Sequence, residues 1–290
     1  MRSSREIGLL ATFGEAFFLS FDTLFLRLIG GDAVQVAFWR GVLMLSSGIL
    51  AAAATTWLTK TRLSLINGRV GLAVAAFYGS ASICFVFAAL LTSIANMLVI
   101  VATAPLWAAV GATIFLGEHP PRRTWIACIV SLAGIGLVMW PGLSQEVNAG
   151  DVIALGAALS MAAAFVLSRL SSENLVLAPA TGGLISALAL VGFVDTFWFQ
   201  DASQLAFMAF EGAILVPVAL GLIAMAPRYL PAPQVGLFLL LETVLGPLWV
   251  WAIIGEVPTG YALAGGALVI LTLLAHSTMT LRHRPEDVVR

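Results

Sequence analysis

Apolar stretches of about twenty residues, separated by short polar breaks, run the length of the 290-residue chain. A helix needs roughly 20 apolar residues to cross a hydrocarbon core of about 30 Å. The pattern predicts ten membrane helices, the first five at 7–29, 34–57, 70–91, 94–116 and 124–141, the second five at 151–170, 179–199, 206–227, 234–254 and 260–280. The breaks are chemically apt. Gly30-Gly31-Asp32 ends the first span, and Lys60 to Arg69 is a polar connection. Thr92-Ser93 makes a minimal turn, and His119-Pro120-Pro121-Arg122-Arg123 stops the fourth span. Turn formers fill Pro141 to Gly150, and Pro231, Pro233 and Pro258 mark later turns. The first run holds Glu15 and Asp22 and lacks a small-residue cleavage site, so it reads as a retained helix.

Charge gives the spans a direction. Of the fourteen Lys and Arg residues, twelve fall at the termini or at loops and span ends on one side. They are Arg2, Arg5, Lys60, Arg62, Arg69, Arg122, Arg123, Arg169, Arg228, Arg282, Arg284 and Arg290, and the opposite loops carry none. The positive-inside bias then predicts a multi-pass protein of the cell (inner) membrane with both termini in the cytoplasm. The two halves also repeat. Gly8, Gly14 and Arg27 return as Gly150, Gly156 and Arg169, 142 residues later. Leu116-Gly117-Glu118-His119-Pro120 returns as Ile254-Gly255-Glu256-Val257-Pro258, and Asn96 as Gln234, 138 residues later. Each half has an odd number of spans, so the second copy enters the membrane upside down. The expected fold is an all-α polytopic membrane protein of ten helices, built as two inverted five-helix repeats at 1–142 and 150–281. Inverted repeats are typical of secondary transporters, with the binding site near the midplane between them.

Composition narrows the function. The chain is 60% apolar and 10% charged, with a mean hydropathy of +1.02. Soluble domains run nearer 45–50% apolar and about 25% charged. A net charge of −1 leaves no basic patch, so no nucleic-acid partner is expected. The two cysteines, Cys84 and Cys128, lie inside apolar runs and are too few for a disulfide framework or a zinc site. No His-Glu-x-x-His, Gly-x-Ser-x-Gly or Walker A pattern occurs. The reading is therefore of no enzyme, no metal and no cofactor. Transport would draw on a proton or substrate gradient, or be facilitated. The partners expected are a small-molecule substrate and the lipid bilayer, with proton coupling open. Oligomeric state is not legible.

Four acids fall within the spans: Glu15, Asp22, Glu211 and Glu242. A charge near the bilayer centre costs at least about 2.5–3.5 kcal/mol on insertion scales, so each calls for a partner or a function. Asp22 and Arg40 lie at matching depths below the outer ends of their spans. They read either as a structural ion pair or as a gate, with Arg40 able to bind a substrate carboxylate bidentately. Glu242 is near mid-span and reads as an ion- or substrate-pathway acid, or else as a packing carboxyl. Glu15 is a candidate for the same pathway. Glu211 is placed nearer the outer end and reads as simply wet, or else as another pathway acid. Tyr78, Asn96, Trp107 and Gln234 complete the candidate pathway set, with Asn96 and Gln234 matched between repeats. Pro105, Pro217 and Pro247 remove backbone hydrogen bonds and permit bends.

These residues carry a family resemblance. Ala37-Phe38-Trp39-Arg40, Ala104-Pro105-Leu106 through Leu116-Gly117-Glu118, and Leu241-Glu242-Thr243-Val244 through Gly255-Glu256 resemble the EamA-type, ten-helix members of the drug/metabolite transporter superfamily. The family often has Glu-Pro in the fourth and ninth helices. This chain has Ala104-Pro105 in the fourth and Glu242-Thr243 in the ninth. The resemblance implies two EamA-like repeats and a secondary transporter working by alternating access. It also implies a cavity lined mainly by spans one, three, four, six, eight and nine. The favoured substrate is a small polar metabolite, an amino acid or related compound moved outward. Uptake of a nucleoside-like metabolite is the alternative, followed by an intramembrane lipid-acting enzyme or a structural membrane protein.

Overall fold

The computed structural model describes residues 4–60, 63–92, 94–140, 148–199, 201–254 and 260–282. Helix makes up 84% of the structure, and the described residues contain no strand. Thirteen α-helical segments follow the ten spans. Span one is α1 (Ser4–Leu19) with α2 (Asp22–Ile29), and spans two and three are α3 (Ala33–Thr59) and α4 (Gly68–Leu91). Span four is α5 (Ile94–Val101) with α6 (Ala104–Leu116), and span five is α7 (Arg122–Met139). Span six is α8 (Ala149–Ser168) and span seven is α9 (Ala178–Leu190). Span eight is α10 (Ala202–Phe210), a π turn (Glu211–Leu215) and α11 (Val216–Met225). Spans nine and ten are α12 (Ala232–Ile254) and α13 (Gly260–Arg282). Six of the spans are long and apolar enough to cross a membrane on length and composition alone. Spans seven, nine and ten contain shorter apolar helices, and α7 opens on Arg122-Arg123. The bundle exposes large apolar side chains all around it, among them Leu50 at 69%, Ile114 at 67% and Leu271 at 64%. Such a surface is a liability in water and is what hydrocarbon requires. The protein is an all-α, multi-pass membrane protein.

The packing pairs spans across the two halves. α4 lies on α8, and α1 on α11; α6 lies on α8, and α1 on α12. Replacing span n by span n+5 turns each of these contacts into the other. α3 with α9, α6 with α12 and α7 with α13 map onto themselves. Close approach is bought with small residues, as in many membrane bundles. A Cβ on Gly182 would lie 2.6 Å from the Ala75 carbonyl oxygen, and one on Gly41 would lie 2.5 Å from that of Gly183. α9 is thereby wedged against both α3 and α4.

Three spans are broken, each for a local reason. In span four, Pro105 has no N–H to give the Val101 carbonyl, and Thr103 Oγ1 donates to the Ile100 carbonyl instead at 2.6 Å. In span eight, Pro217 deprives the Ala213 carbonyl, which accepts from Ser47 Oγ of α3 at 2.6 Å. There Val216 N–H bonds to Glu211 O, five residues back. In span one, Ser20 Oγ donates to the Phe17 carbonyl at 2.6 Å and the backbone tightens to Phe21 N–H to Phe18 O. Pro247, expected to permit a bend, leaves α12 continuous.

One span boundary is corrected. Span seven was expected to reach residue 199, but α9 ends at Leu190 and helix of any kind ends at Phe193. The apolar residues that follow are aromatic ones at the bundle's end, Phe197 and an 83%-exposed Trp198. Their carbonyls accept from α3: Trp39 Nε1 donates to Phe197 O at 2.9 Å, and Gln35 Nε2 to Trp198 O at 3.0 Å. Interfacial aromatics read as span on hydropathy, yet here they form a cap.

Candidate functional site

A cavity of about 690 Å³, part of it continuous with solvent, opens in the middle of the bundle. It draws walls from seven spans. Span one gives Leu19 and Asp22, span two Arg40, span three Tyr78, Ala81, Ser82 and Phe85, and span four Val101, Ala102 and Ala104. Span six gives Ala157 and Met161, span eight Leu220, and span nine Leu239, Leu240 and Glu242. The breaks in spans one and four sit at this wall, since Asp22 opens α2 and Val101, Ala102 and Ala104 flank the interruption before α6. Discontinuous helices at a midplane site are a recurrent transporter device.

The charged side chains form a buried cluster. Arg40 Nη2 donates to Asp22 Oδ2 at 2.7 Å, and Arg40 Nη1 lies 3.0 Å from Glu211 Oε1. All three residues are at most 3% exposed. Arg40 also lies over the Phe85 ring, 5.9 Å from its centroid. One guanidinium thus bridges spans one, two and eight. Glu242, mid-way along α12, faces the cavity and interacts electrostatically with Asp22 and Arg40. Glu15 is fully buried one layer behind the wall, in electrostatic contact with Glu242 and Tyr78. Neither Glu15 carboxylate oxygen has a hydrogen-bond partner among the described residues, and nor does the Tyr78 hydroxyl.

Of the candidates read from sequence, Asp22, Arg40, Tyr78 and Glu242 line this one cavity, with Glu15 adjoining it. Trp107 does not: it is 40% exposed on α6 and its Nε1 donates to Thr103 Oγ1 at 3.1 Å. Gln234 is buried in the first turn of α12, away from the lining residues. The side chain of Asn96 lies outside the described residues, as does Glu256. The expectation for Glu211 fails, since it is fully buried against Arg40, not wet. Sequence reading missed Ser82 and Phe85. Both share a face of α4 with Tyr78, at spacings of four and seven, which is the signal that finds them.

The two ends of the bundle are closed by different chemistry. At the basic end, Arg169 after α8 donates from Nε and Nη2 to Glu118 Oε1 beyond α6, and from Nη1 to the Pro227 carbonyl beyond α11 at 3.0 Å. At the other end, Asn148 and Asp151 cap α8 reciprocally and Thr92 Oγ1 donates to Asp151 Oδ1 at 2.6 Å. Also toward that end, Trp249 Nε1 donates to Ser20 Oγ at 2.8 Å, and its ring stacks on Phe21.

Comparison with known proteins agrees with this architecture. A solved structure, described only as the crystal structure of a protein, superposes with a TM-score of 0.78. It covers 97% of this chain and 100% of its own at 18% sequence identity, which speaks to the fold alone. No curated protein matches the chain in sequence. The family model of the EamA-like transporter family matches residues 6–140, the first five spans. Over its first five spans, the chain is therefore similar to the EamA-like transporter family, on a polytopic helical bundle.

Proposed function

We propose that the chain is a secondary transporter that moves a small polar metabolite, an amino acid or related compound, outward across a bacterial-type inner membrane. The basic ends of the spans face the cytoplasm. The halves 1–142 and 150–281 rock against each other, so that the central cavity opens first to one side and then to the other. The contacts that exchange between halves support such a motion, because a rearrangement of one half has a mirrored counterpart in the other. The observation that carries the reading is the placement of Glu242. It is a carboxyl on the wall of a central cavity bounded by two broken helices, where a purely structural bundle would bury apolar side chains.

Glu242 is also the candidate for proton coupling. An acid that takes up a proton in one facing state and releases it in the other ties flux to a pH gradient. Glu242→Gln keeps the shape of the protonated acid. In proteoliposomes this variant is expected to exchange substrate across the membrane while losing accumulation driven by a pH gradient. Retained gradient-driven accumulation would remove Glu242 from coupling. Everted vesicles, with the basic end outward, test direction: export predicts uptake into them.

A further inference from the structure

The cavity's charges bear directly on the ligand it can take. This inference rests on the transport reading above and concerns the same cavity. The one cation among the described groups at the cluster is Arg40, and both of its terminal nitrogens are engaged, by Asp22 at 2.7 Å and by Glu211 at 3.0 Å. Arg40 Nε and Nη1 make no hydrogen bond among the described residues, but two carboxylates already balance this one guanidinium, so a third has little to gain there. Against that one guanidinium stand four carboxyls, Glu15, Asp22, Glu211 and Glu242, each at most 7% exposed. Buried carboxyls in this number cannot all ionise on one guanidinium, so a positive ligand gains by supplying a counter-charge while a negative one is opposed.

Polar groups without partners sharpen the point. Glu242 faces the cavity with no ion-pair partner within salt-bridge distance among the described residues. The Tyr78 hydroxyl, on a residue only 1% exposed, lines the same cavity and has no hydrogen-bond partner among the described residues. Buried polar groups are as a rule hydrogen-bonded, so an orphan at a cavity wall points to a ligand or solvent partner. Behind them Glu15 adds a carboxyl with no hydrogen-bond partner among the described residues. The rest of the wall is apolar: Leu19, Phe85, Met161, Leu220, Leu239 and Leu240.

We infer that Glu242 and Tyr78 form an ammonium subsite, with Glu15 as a second carboxyl behind it, and that this narrows the class proposed above to an amine lacking a free carboxylate, not a free amino acid. Asp22 and Glu211 act as a plug on Arg40, cancelling the cation that would otherwise recruit an acid.

The test uses the purified full-length protein in detergent, with binding read by calorimetry for three probes that share a ring: phenethylamine, 3-phenylpropanoate and phenylalanine. Phenethylamine is expected to bind at least ten-fold more tightly than the other two. It should also protect a Ser82→Cys variant from alkylation. Glu242→Gln should weaken its binding at least ten-fold and Tyr78→Phe several-fold, while Glu242→Asp retains part of it. Tyr78→Phe keeps the packing, so the prediction stands even where Glu242→Gln folds poorly. Equal or tighter binding of the carboxylate or the zwitterion, or no phenethylamine binding at millimolar concentration, overturns the inference. Amine binding without counterflow in proteoliposomes would defeat the transport reading and leave the ligand class intact. Counterflow of a carboxylate without amine binding would do the reverse.

Discussion

At the scale of single residues, Arg40 is a buried cation held between two buried carboxylates. Removing one partner of a buried ion pair costs about 3–5 kcal/mol, because the other charge is stranded. Here the guanidinium has two partners, and the consequences are unequal. Arg40→Gln leaves Asp22 and Glu211 facing each other without compensation, so it should cause the largest loss of folded protein. Asp22→Asn or Glu211→Gln alone leaves Arg40 one carboxylate and should cost less. The triple variant Asp22→Asn, Arg40→Gln, Glu211→Gln should regain much of what Arg40→Gln lost. Thermal unfolding of the four purified proteins checks the order, and a triple variant no better than Arg40→Gln would show that the three do not act as a unit. The Asp22–Arg40 half of this cluster could be read from matched depths in the sequence. The Glu211 half could not, because the sequence reading started span eight at 206, whereas α10 begins at Ala202 and so carries Glu211 deeper than that count allowed.

At the scale of helices, hydropathy was enough to locate the ten spans, because lipid imposes one rule on every segment. It was not enough to locate the breaks. Whether Pro105, Pro217 or Pro247 interrupts its helix depends on what accepts or replaces the lost hydrogen bond, and that is a tertiary fact. Ser47 of α3 rescues the carbonyl before Pro217, and nothing in span eight itself announces it. The same holds for the glycines. Gly182 and Gly136 look alike in the sequence, yet a Cβ at Gly182 would collide with the Ala75 carbonyl while one at Gly136 meets nothing within 4 Å. Gly182→Ala should therefore destabilise by about 1–3 kcal/mol, through forced separation of α4 and α9. Gly136→Ala should be neutral or stabilise by up to about 1 kcal/mol, because alanine loses less entropy in a helix. The difference between their melting temperatures is the check, and equal shifts would contradict the close α4–α9 contact.

At the scale of the whole molecule, the two ends of the bundle differ in charge and in fastening. Lys60, Arg69, Arg122, Arg123, Arg169 and Arg228 collect at one end, while Asp32, Asp151 and Asp201 sit at the other. Single cysteines at Gly31, Asn148 and Asp201 should react with an impermeant reagent outside intact cells, and one at Lys60 should not. The reversed pattern would overturn the orientation. The basic end is tied by Arg169, which reaches from span six to Glu118 of span four and to the Pro227 carbonyl of span eight. Spans four, six and eight all contribute to the cavity wall, so this tie should hold the cavity shut toward the basic end. It is also weak enough to break in a transport cycle. Both side chains are about 30% exposed, at 29% and 31%, and ion pairs so wetted contribute about 0–1 kcal/mol. Losing the tie should move the balance between facing states by up to roughly five-fold, the equivalent of about 1 kcal/mol. In Arg169→Gln, the Ser82→Cys cavity thiol should be alkylated faster from the basic side and more slowly from the other. Exchanging the charges, Arg169→Glu with Glu118→Arg, should restore most of the original ratio while still lacking the bond to Pro227. Unchanged labelling rates from both sides in Arg169→Gln would mean that the tie only staples loops. The basic end would then have to be held shut by the apolar contact of Gly8 in α1 with Tyr229 and Leu230.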